Sequence, residues 1–196
     1  MQSMTDSADF IRLDATTVKV LAHPLRSRLV GALRLNGPST ATALAQHLGT
    51  NSGATSYHLR KLAEVGLVID TDQGDAKSRV WAAASELTQF EVSDFDDDED
   101  AATALGWLER DWLRHFTDKF GQWLDVRHSW PAPWRDRAGM NDDTVLVSAD
   151  QLRQMHDEIG AVIERYRRVG QGNPDAKRIA TYLVFYPLDM DKAPRA

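Results

Sequence analysis

Ala41–Val68, with the sequence ATALAQHLGTNSGATSYHLRKLAEVGLV, predicts two helices joined by a tight turn. The first helix is expected over about residues 40–48. Gly49 is expected to end this helix, because a glycine just past a helix end adopts the left-handed conformation there without strain. Asn51 is expected to cap the second helix, since its side-chain oxygen can accept a hydrogen bond from a free backbone N–H of the first turn. The second helix then covers residues 52–65.

The second helix has two chemically different faces. Thr55, Leu59, Leu62 and Val65 recur at near-helical spacing, which indicates a face that packs on a core. The opposite face is small, hydrogen-bonding or basic. It suits a helix that enters the major groove of DNA, where donors reach base edges and cations reach phosphates. An ordinary amphipathic helix with a solvated polar face is the alternative, and the helix alone does not separate the two. The residues of the polar face are Ser52, Gly53, Ser56, Tyr57, Arg60 and Lys61.

The sequence after the second helix predicts a β-hairpin. Residues 67–69 and 80–82 are short apolar runs, and the polar residues between them include Gly74, which suits a turn. This hairpin, taken as residues 70–82, carries the basic residues Lys77 and Arg79 at its tip. They are expected to reach the backbone or minor groove of a bound duplex; a plain solvated hairpin is the alternative.

Four short motifs occur in a fixed order around these elements. They are His23-Pro24-Leu25-Arg26, Leu44-Ala45-x-x-Leu48-Gly49, Ser56-Tyr57-His58-Leu59-Arg60-Lys61-Leu62 and Glu64-x-Gly66-Leu67-Val68. Together they resemble the winged helix-turn-helix of ArsR-type bacterial transcriptional regulators, over roughly residues 14–84. The resemblance implies a three-helix core with a β-hairpin wing, a homodimer, and double-stranded DNA with a roughly palindromic operator as the partner. The implied DNA contacts are Ser52, Gly53, Ser56, Tyr57 and Arg60 on bases and phosphates, and Lys61, Lys77 and Arg79 on the backbone.

The charge distribution is compatible with a nucleic-acid partner, although the net charge is −6. Residues 24–81 hold seven Lys and Arg against four Asp and Glu, whereas residues 91–100 (EVSDFDDDED) hold seven acids and no base. The negative charge is therefore local, and the predicted DNA-binding part is mildly basic, as a phosphate-binding face requires. The acidic run is expected at the start of the next helix, where the helix dipole favours carboxylates.

A long helix is predicted from about Ala101 to Arg127, because its apolar residues are three or four positions apart. This stripe either packs against a second copy or lines a pocket for an apolar ligand, for which five tryptophans are the candidates. A further helix is expected from residues 148–150 to about 169, and strands at 144–147 and 179–187. The stripe residues are Leu105, Leu108, Trp112, Phe116, Phe120 and Trp123. The candidate effector-pocket residues are Trp107, Trp112, Trp123, Trp130 and Trp134.

The predicted fold class is mainly α with a small β component. It comprises a winged helix-turn-helix (three-helix core plus β-hairpin wing) followed by an α+β C-terminal domain with long helices. The predicted organisation is a flexible leader at 1–12, the winged domain at 13–90, an acidic linker or helix start at 91–100, and a C-terminal dimerisation and effector domain at 101–196.

Several classes of function are not expected. The chain has no cysteine, hence no disulfide and no thiolate metal site. Asp111, His115 and His128 do not reproduce the Asp-His-His-Glu spacing of the C-terminal metal site found in ArsR-type proteins, so neither a metal nor a cofactor is expected. No catalytic motif occurs, so an enzyme is not expected. The polar start and the absence of a long apolar run indicate a cytoplasmic protein without a membrane partner.

Three functional hypotheses remain open on the sequence. The first is a dimeric DNA-binding transcriptional regulator that reads its operator through helix 52–65 and wing 70–82. The second adds a small-molecule effector bound among the tryptophans of the C-terminal domain. The third makes the winged domain a protein-interaction module without sequence-specific DNA binding.

Overall fold

The computed structural model describes residues 10–74 and 78–191, and this part of the chain is mainly helical with two small sheets. The fold class predicted for the winged helix-turn-helix and the long helices is confirmed. The helices are α1 (Ala15–Leu21), α2 (Pro24–Asn36), α3 (Ala41–Leu48), α4 (Ser52–Glu64), α5 (Glu99–Val126), α6 (Ala132–Arg135) and α7 (Ala149–Tyr166). The strands are β1 (Phe10–Arg12), β2 (Ser39–Thr40), β3 (Val68–Asp70), β4 (Val80–Ala83) and β5 (Leu87–Gln89).

Helices α3 and α4 form the predicted helix-turn-helix, and local hydrogen bonds define their ends. The Asn51 side chain accepts a hydrogen bond from the Ala54 N–H at 2.8 Å, which caps α4. Gly49 closes α3 in the left-handed region with φ of 64°, a conformation that a Cβ would strain. Both predicted caps are therefore confirmed, and the start of α4 is left open to solvent.

The core lies beneath α4, where its apolar face meets α2, α3 and the sheet. Thr55, Leu59 and Leu62 are fully buried, as their spacing predicts. Every buried apolar residue in the described part of the chain lies between Leu13 and Leu108. Burial of apolar surface at about 25 cal/mol per Å² is the main force that holds such a core together. The core therefore fixes the back of α4 and leaves its polar face outside.

The hairpin forms as predicted. Strands β3 and β4 pair antiparallel, with Val68 opposite Ala83, and β2 pairs on the other edge of β4. Trp81 on β4 is buried against the core and ties the hairpin to it. Residues 75–77 of the tip lie outside the described residues.

Residues 10–12, which the sequence placed in a flexible leader, form a strand. Phe10–Arg12 forms β1 and pairs in parallel with β5. Arg12 also forms an ion pair with Asp94 at 2.7 Å, and Lys19 pairs with Asp98 at 2.8 Å. Residues 10–12 are therefore not a loose leader, because strand pairing and a carboxylate of the acidic run both hold them.

The acidic run is partly structured. Val92–Phe95 forms a 3-10 helix whose Phe95 is buried in the core, and α5 begins at Glu99, where the helix dipole stabilises carboxylates. The first turns of α5 bury Ala101, Leu105 and Leu108 in the same core. This part of the chain therefore belongs to the winged domain, whereas the sequence predicted a new domain from residue 101.

The chain divides into two compact units between Asp125 and Val126. The second unit contains α6 and α7. The Ser148 side chain caps α7 by accepting a hydrogen bond from the Gln151 backbone N–H, and the Gln151 side chain accepts one from the Ser148 backbone N–H. The structure has no strand at 144–147 or 179–187, contrary to the prediction and to the β part expected of the C-terminal domain. Apolar, β-branched sequence favours a strand only where a neighbouring strand supplies backbone hydrogen bonds, and neither segment has one.

Within residues 10–74 and 78–191, no helix is both long enough and apolar enough to span a bilayer.

Candidate nucleic-acid interface

The polar face of α4 is presented to solvent from its first turn. Ser52 and Gly53 are exposed, Ser56 is half-buried, and the Tyr57 ring is 50% exposed. A Cβ on Gly53 would meet only the Asn51 Oδ1, at 3.4 Å. The first two turns therefore offer short side chains and free donors, the arrangement that allows a helix to approach base edges closely.

Arg60 extends this face by one turn and carries a free charge. Its Nε donates to the Ser56 carbonyl oxygen at 3.2 Å, which orients the side chain along the helix. Among the described residues no carboxylate pairs with Arg60, so its terminal nitrogens are available to a ligand. Lys61 differs, because it forms an ion pair with Glu64 at 2.8 Å, and this hydrogen bond raises the pKa of Lys61. We therefore regard Arg60 as the principal cation of the face.

A groove of about 300 Å³ separates α4 from the hairpin and from the start of α3. Arg60 lines it from α4 and Arg79 from the hairpin, so two basic residues border the same space. The Arg79 Nε lies 3.4 Å from the Asp70 Oδ2, and the Arg79 Cζ lies 5.9 Å from the centre of the Trp81 ring. These two contacts keep the Arg79 side chain close to the strands of the hairpin. The lining residues are Thr40, Ala41, Thr42, Ser56, Arg60, Ser78, Arg79 and Trp81.

The structure brings together most of the DNA contacts that the resemblance implied. Ser52, Gly53, Ser56, Tyr57 and Arg60 lie on one helix face, and Arg79 stands across the groove from Arg60. Lys61 is diverted toward Glu64, and Lys77 lies outside the described residues. The sequence analysis did not identify Thr40, Thr42 and Ser78, since only the packing of α3 and the hairpin against α4 places these hydroxyl groups in the groove.

A second basic cluster flanks the same helix. The His23 and His58 rings lie 4.4 Å apart, and the Tyr57 ring stands edge-on to His58 at 5.2 Å. Burial lowers the pKa of both histidines, and the charge of Arg26 lowers them further. The Nδ1 of His23 accepts the Leu25 N–H at 3.2 Å and so caps α2. Tyr57 is one of the DNA contacts that the resemblance implied, whereas His23 and His58 belong to the motifs that carry the resemblance and had no predicted role.

The five tryptophans considered for an effector pocket fall into different environments. Trp107 and Trp112 pack against the core of the first unit, and the Trp112 indole N–H donates to the Ser27 hydroxyl at 3.1 Å. Trp123 is half-buried near the end of α5. In the second unit, Trp130 and Trp134 stand edge to face with 6.0 Å between ring centres. The core contacts of Trp107 and Trp112 give these two a packing role.

The described residues hold no cluster of three or more His, Asp or Glu side chains that could bind a metal ion. Asp111, considered above for a metal site, is instead buried between Arg28 at 3.7 Å and Arg114 at 3.3 Å. Two guanidinium groups therefore lie within ion-pair distance of one buried carboxylate. Asp111 is therefore part of a structural ion network.

Comparison with known proteins supports this geometry. A helix-turn-helix domain family matches residues 21–71. The HTH-type transcriptional regulator NmtR of Mycobacterium tuberculosis is 40% identical over 60 residues, which cover 31% of this chain and 49% of NmtR. The chain thus matches about half the length of this curated relative.

A solved structure of a mutant of ZitR from Lactococcus lactis aligns with 74% of this chain and 75% of its own, at 12% identity and a TM-score of 0.31. Similarity at this level adds nothing to the assignment. The sequence match of residues 21–71 and the observed α3–α4 geometry carry it instead. Residues 21–71 of this chain therefore form a helix-turn-helix domain, and this part is similar in sequence to the regulator NmtR.

Proposed function

We propose that this protein is a transcriptional regulator that binds double-stranded DNA as a homodimer, with α4 in the major groove. The observation that carries the proposal is the exposed, capped start of α4 with the unpaired Arg60 behind it. The apolar back of the helix is buried, so the polar face can enter a groove without exposing the core. NmtR, which matches this part of the chain, is named a transcriptional regulator.

The residues have distinct roles in the proposal. Ser52, Gly53 and Ser56 allow close approach and donate hydrogen bonds to base edges, and Tyr57 adds contact area beside them. Arg60 reads a base or binds a phosphate, since its planar guanidinium suits either partner. Phosphate contacts fix the register on the duplex. The hairpin supplies two of them, from Lys77 and Arg79, and α4 supplies a third from Lys61 after its release from Glu64.

The exposed apolar residues of the second unit support a homodimer. Residues 126–191 include no buried residue, and Leu146 is fully exposed. Apolar surface of this extent marks an interaction site. A second copy is a suitable partner, because residues 126–196 hold eleven Lys and Arg against ten Asp and Glu, so two copies repel each other little. Two-fold symmetry then predicts a roughly palindromic operator with half-sites about 34–36 Å apart.

Affinity selection tests the proposal. The purified protein is mixed with genomic DNA fragments, the retained fragments are sequenced, and the common site is used for binding measurements. Arg60→Ala should weaken binding by about 1–3 kcal/mol, or roughly 5- to 150-fold. Arg110→Ala is the matched control, since exposed Arg110 also donates to a carbonyl four residues earlier, that of Gly106 at 2.9 Å. Equal affinities of both variants and the parent would refute the role of α4.

Two outcomes would favour the other hypotheses. Failure to retain any fragment at low salt favours a protein-interaction module for the winged domain. A small-molecule effector is favoured by the half-exposed Trp130–Trp134 pair, whose rings offer an aromatic surface in the second unit. Tryptophan fluorescence titrated with candidate metabolites tests it. A saturable change that is lost in Trp134→Leu would support an effector site at this pair.

A further inference from the structure

Arg26 on α2 is an unmatched cation. Its Nε is shielded from solvent and has no hydrogen-bond partner, and burial lowers its pKa. No carboxylate pairs with it in the part of the chain that the structure describes. The other two arginines of α2 are accounted for. Arg28 lies 3.7 Å from Asp111, and Arg34 donates to the Ser85 carbonyl at 2.9 Å.

The neighbouring His58 has the same defect. Its Nδ1 is buried and makes no hydrogen bond. Across residues 10–74 and 78–191, the buried side-chain nitrogens and oxygens without a partner number only two, Arg26 Nε and His58 Nδ1. A buried polar atom without a hydrogen bond is unfavourable, because it has lost its contact with water and gained no replacement. Both atoms lie in one cluster, in which the charge of Arg26 acts on His58 and has no carboxylate partner among the described residues.

The group that complements the unpaired charge of Arg26 is an anion with oxygen acceptors. It meets the terminal nitrogens of Arg26, since the two atoms without partners are shielded from solvent. Arg26 supplies a fixed positive charge, and burial favours the neutral form of the two histidines beside it. Tyr57 contacts the His58 ring and interacts electrostatically with Arg26, so its hydroxyl is a further donor in this cluster. A metal ion is disfavoured there, because the guanidinium of Arg26 repels cations. Phosphate oxygens suit the site, since arginine binds them with charge-assisted hydrogen bonds.

The position of the cluster favours a phosphate of DNA over a free anion. Tyr57 and His58 belong to α4, whose exposed first turn carries the proposed base contacts, and Arg26 lies on the adjoining helix. A cation beside a recognition helix meets the backbone that borders the major groove. Inorganic phosphate has the same oxygen chemistry and is the alternative source of the anion.

We propose that His23, Arg26, Tyr57 and His58 form a site for one backbone phosphate of the bound duplex, an inference that rests on the proposed DNA binding. Arg26 provides the charge and the terminal nitrogens that contact the phosphate. Tyr57 donates its hydroxyl, and the two imidazole rings, 4.4 Å apart, connect the start of α2 to α4 beside it. The free protein retains an unneutralised charge in this site, and the duplex neutralises it.

The test compares Arg26→Gln with Arg28→Gln. Both variants remove one positive charge from α2, but Arg28 already pairs with Asp111, and Arg114 remains beside that carboxylate at 3.3 Å. Each phosphate contact contributes about 0.9 to the slope of log affinity against log salt. Arg26→Gln should therefore reduce the slope of a dimer by about 1.8, and Arg28→Gln should leave it near that of the parent.

Thermal unfolding without DNA separates a binding role from a structural one. Arg26→Gln removes a half-buried charge that has no partner, so its melting temperature should equal or exceed that of the parent. A lower melting temperature would make Arg26 a structural residue and overturn the proposal. An unchanged salt slope, or an equal reduction in both variants, would also overturn it.

Inorganic phosphate at millimolar concentration tests the alternative source. Suppose that phosphate raises the melting temperature of the parent but not of Arg26→Gln, while both proteins show the same slope of log affinity for DNA against log salt. In that case the site binds a free anion and the DNA assignment is wrong. Failure of the underlying function looks different, since the parent would then bind no duplex at all. If Arg60→Ala abolishes binding while Arg26→Gln keeps the parent slope, only the phosphate site is refuted.

Discussion

The two units of this protein follow the same local rules and reach opposite degrees of burial. In the first unit, α4 has an Asn51 cap and an apolar face whose Leu59 is fully buried. In the second unit, α7 has a Ser148 cap and an apolar stripe at similar spacing, but its Leu152 is only half-buried. Helix caps and periodicity are therefore sufficient for a helix and insufficient for a core.

The difference follows from what surrounds each helix. Helix α4 packs on α1, α2, α3 and β3, so its apolar face is enclosed. The apolar segments of residues 126–191 meet no comparable enclosure within the single chain, and none of these residues is buried. Under the proposed function a second copy covers them, which would make the folding of this unit dependent on protein concentration.

The largest expected effect contrasts one leucine from each unit. Leu59→Ala should lower the free energy of unfolding by about 2–5 kcal/mol, because it leaves a cavity in a fully enclosed core. Leu152→Ala removes the same atoms from a half-buried site and should cost less than about 1 kcal/mol in dilute monomer. Urea denaturation monitored by circular dichroism measures both; equal costs would show that the second unit has a core of its own.

A smaller effect is expected at the two helix caps. Asn51→Ala removes the acceptor for the Ala54 N–H and should cost about 0.5–2 kcal/mol of global stability. In Ser148→Ala the loss should appear as fraying of the first turn of α7, because that helix has little tertiary burial to couple it to global unfolding. Amide hydrogen exchange distinguishes these results, and a global loss in both variants would contradict the contrast.

The smallest effect is a pH dependence confined to the first unit. Burial lowers the pKa of His58 in the folded state, so the unfolded chain binds a proton more readily. Stability should therefore fall as the pH drops from the unfolded value, about 6.5, through the lower folded value. His58→Gln should flatten this part of the stability profile, as denaturation between pH 7 and pH 5 would show. An identical profile would exclude His58 as the cause; His23 would then remain the candidate.

The winged domain was predictable because its signals are strong and local. Asn51 and Gly49 marked the ends of α3 and α4, and Thr55, Leu59 and Leu62 marked the buried face. The domain boundary was less predictable, because Leu105 and Leu108 belong to a long helix whose sequence does not reveal that its first turns join the preceding core. The strands expected at 144–147 and 179–187 failed for a related reason, since a strand also depends on a distant neighbour.

The sequence by itself determined the helices, their caps and the polar face of α4, because hydrogen bonds and periodicity act within a few residues. Only the tertiary structure decided which apolar stripes are buried and which cations have partners. Arg26 and His58 are separated by 31 intervening residues and meet because α2 packs on α4. Arg60 and Arg79 face one groove because the hairpin folds back beside the helix. Contacts of this kind arise from the packing of whole elements, which short-range sequence patterns do not specify.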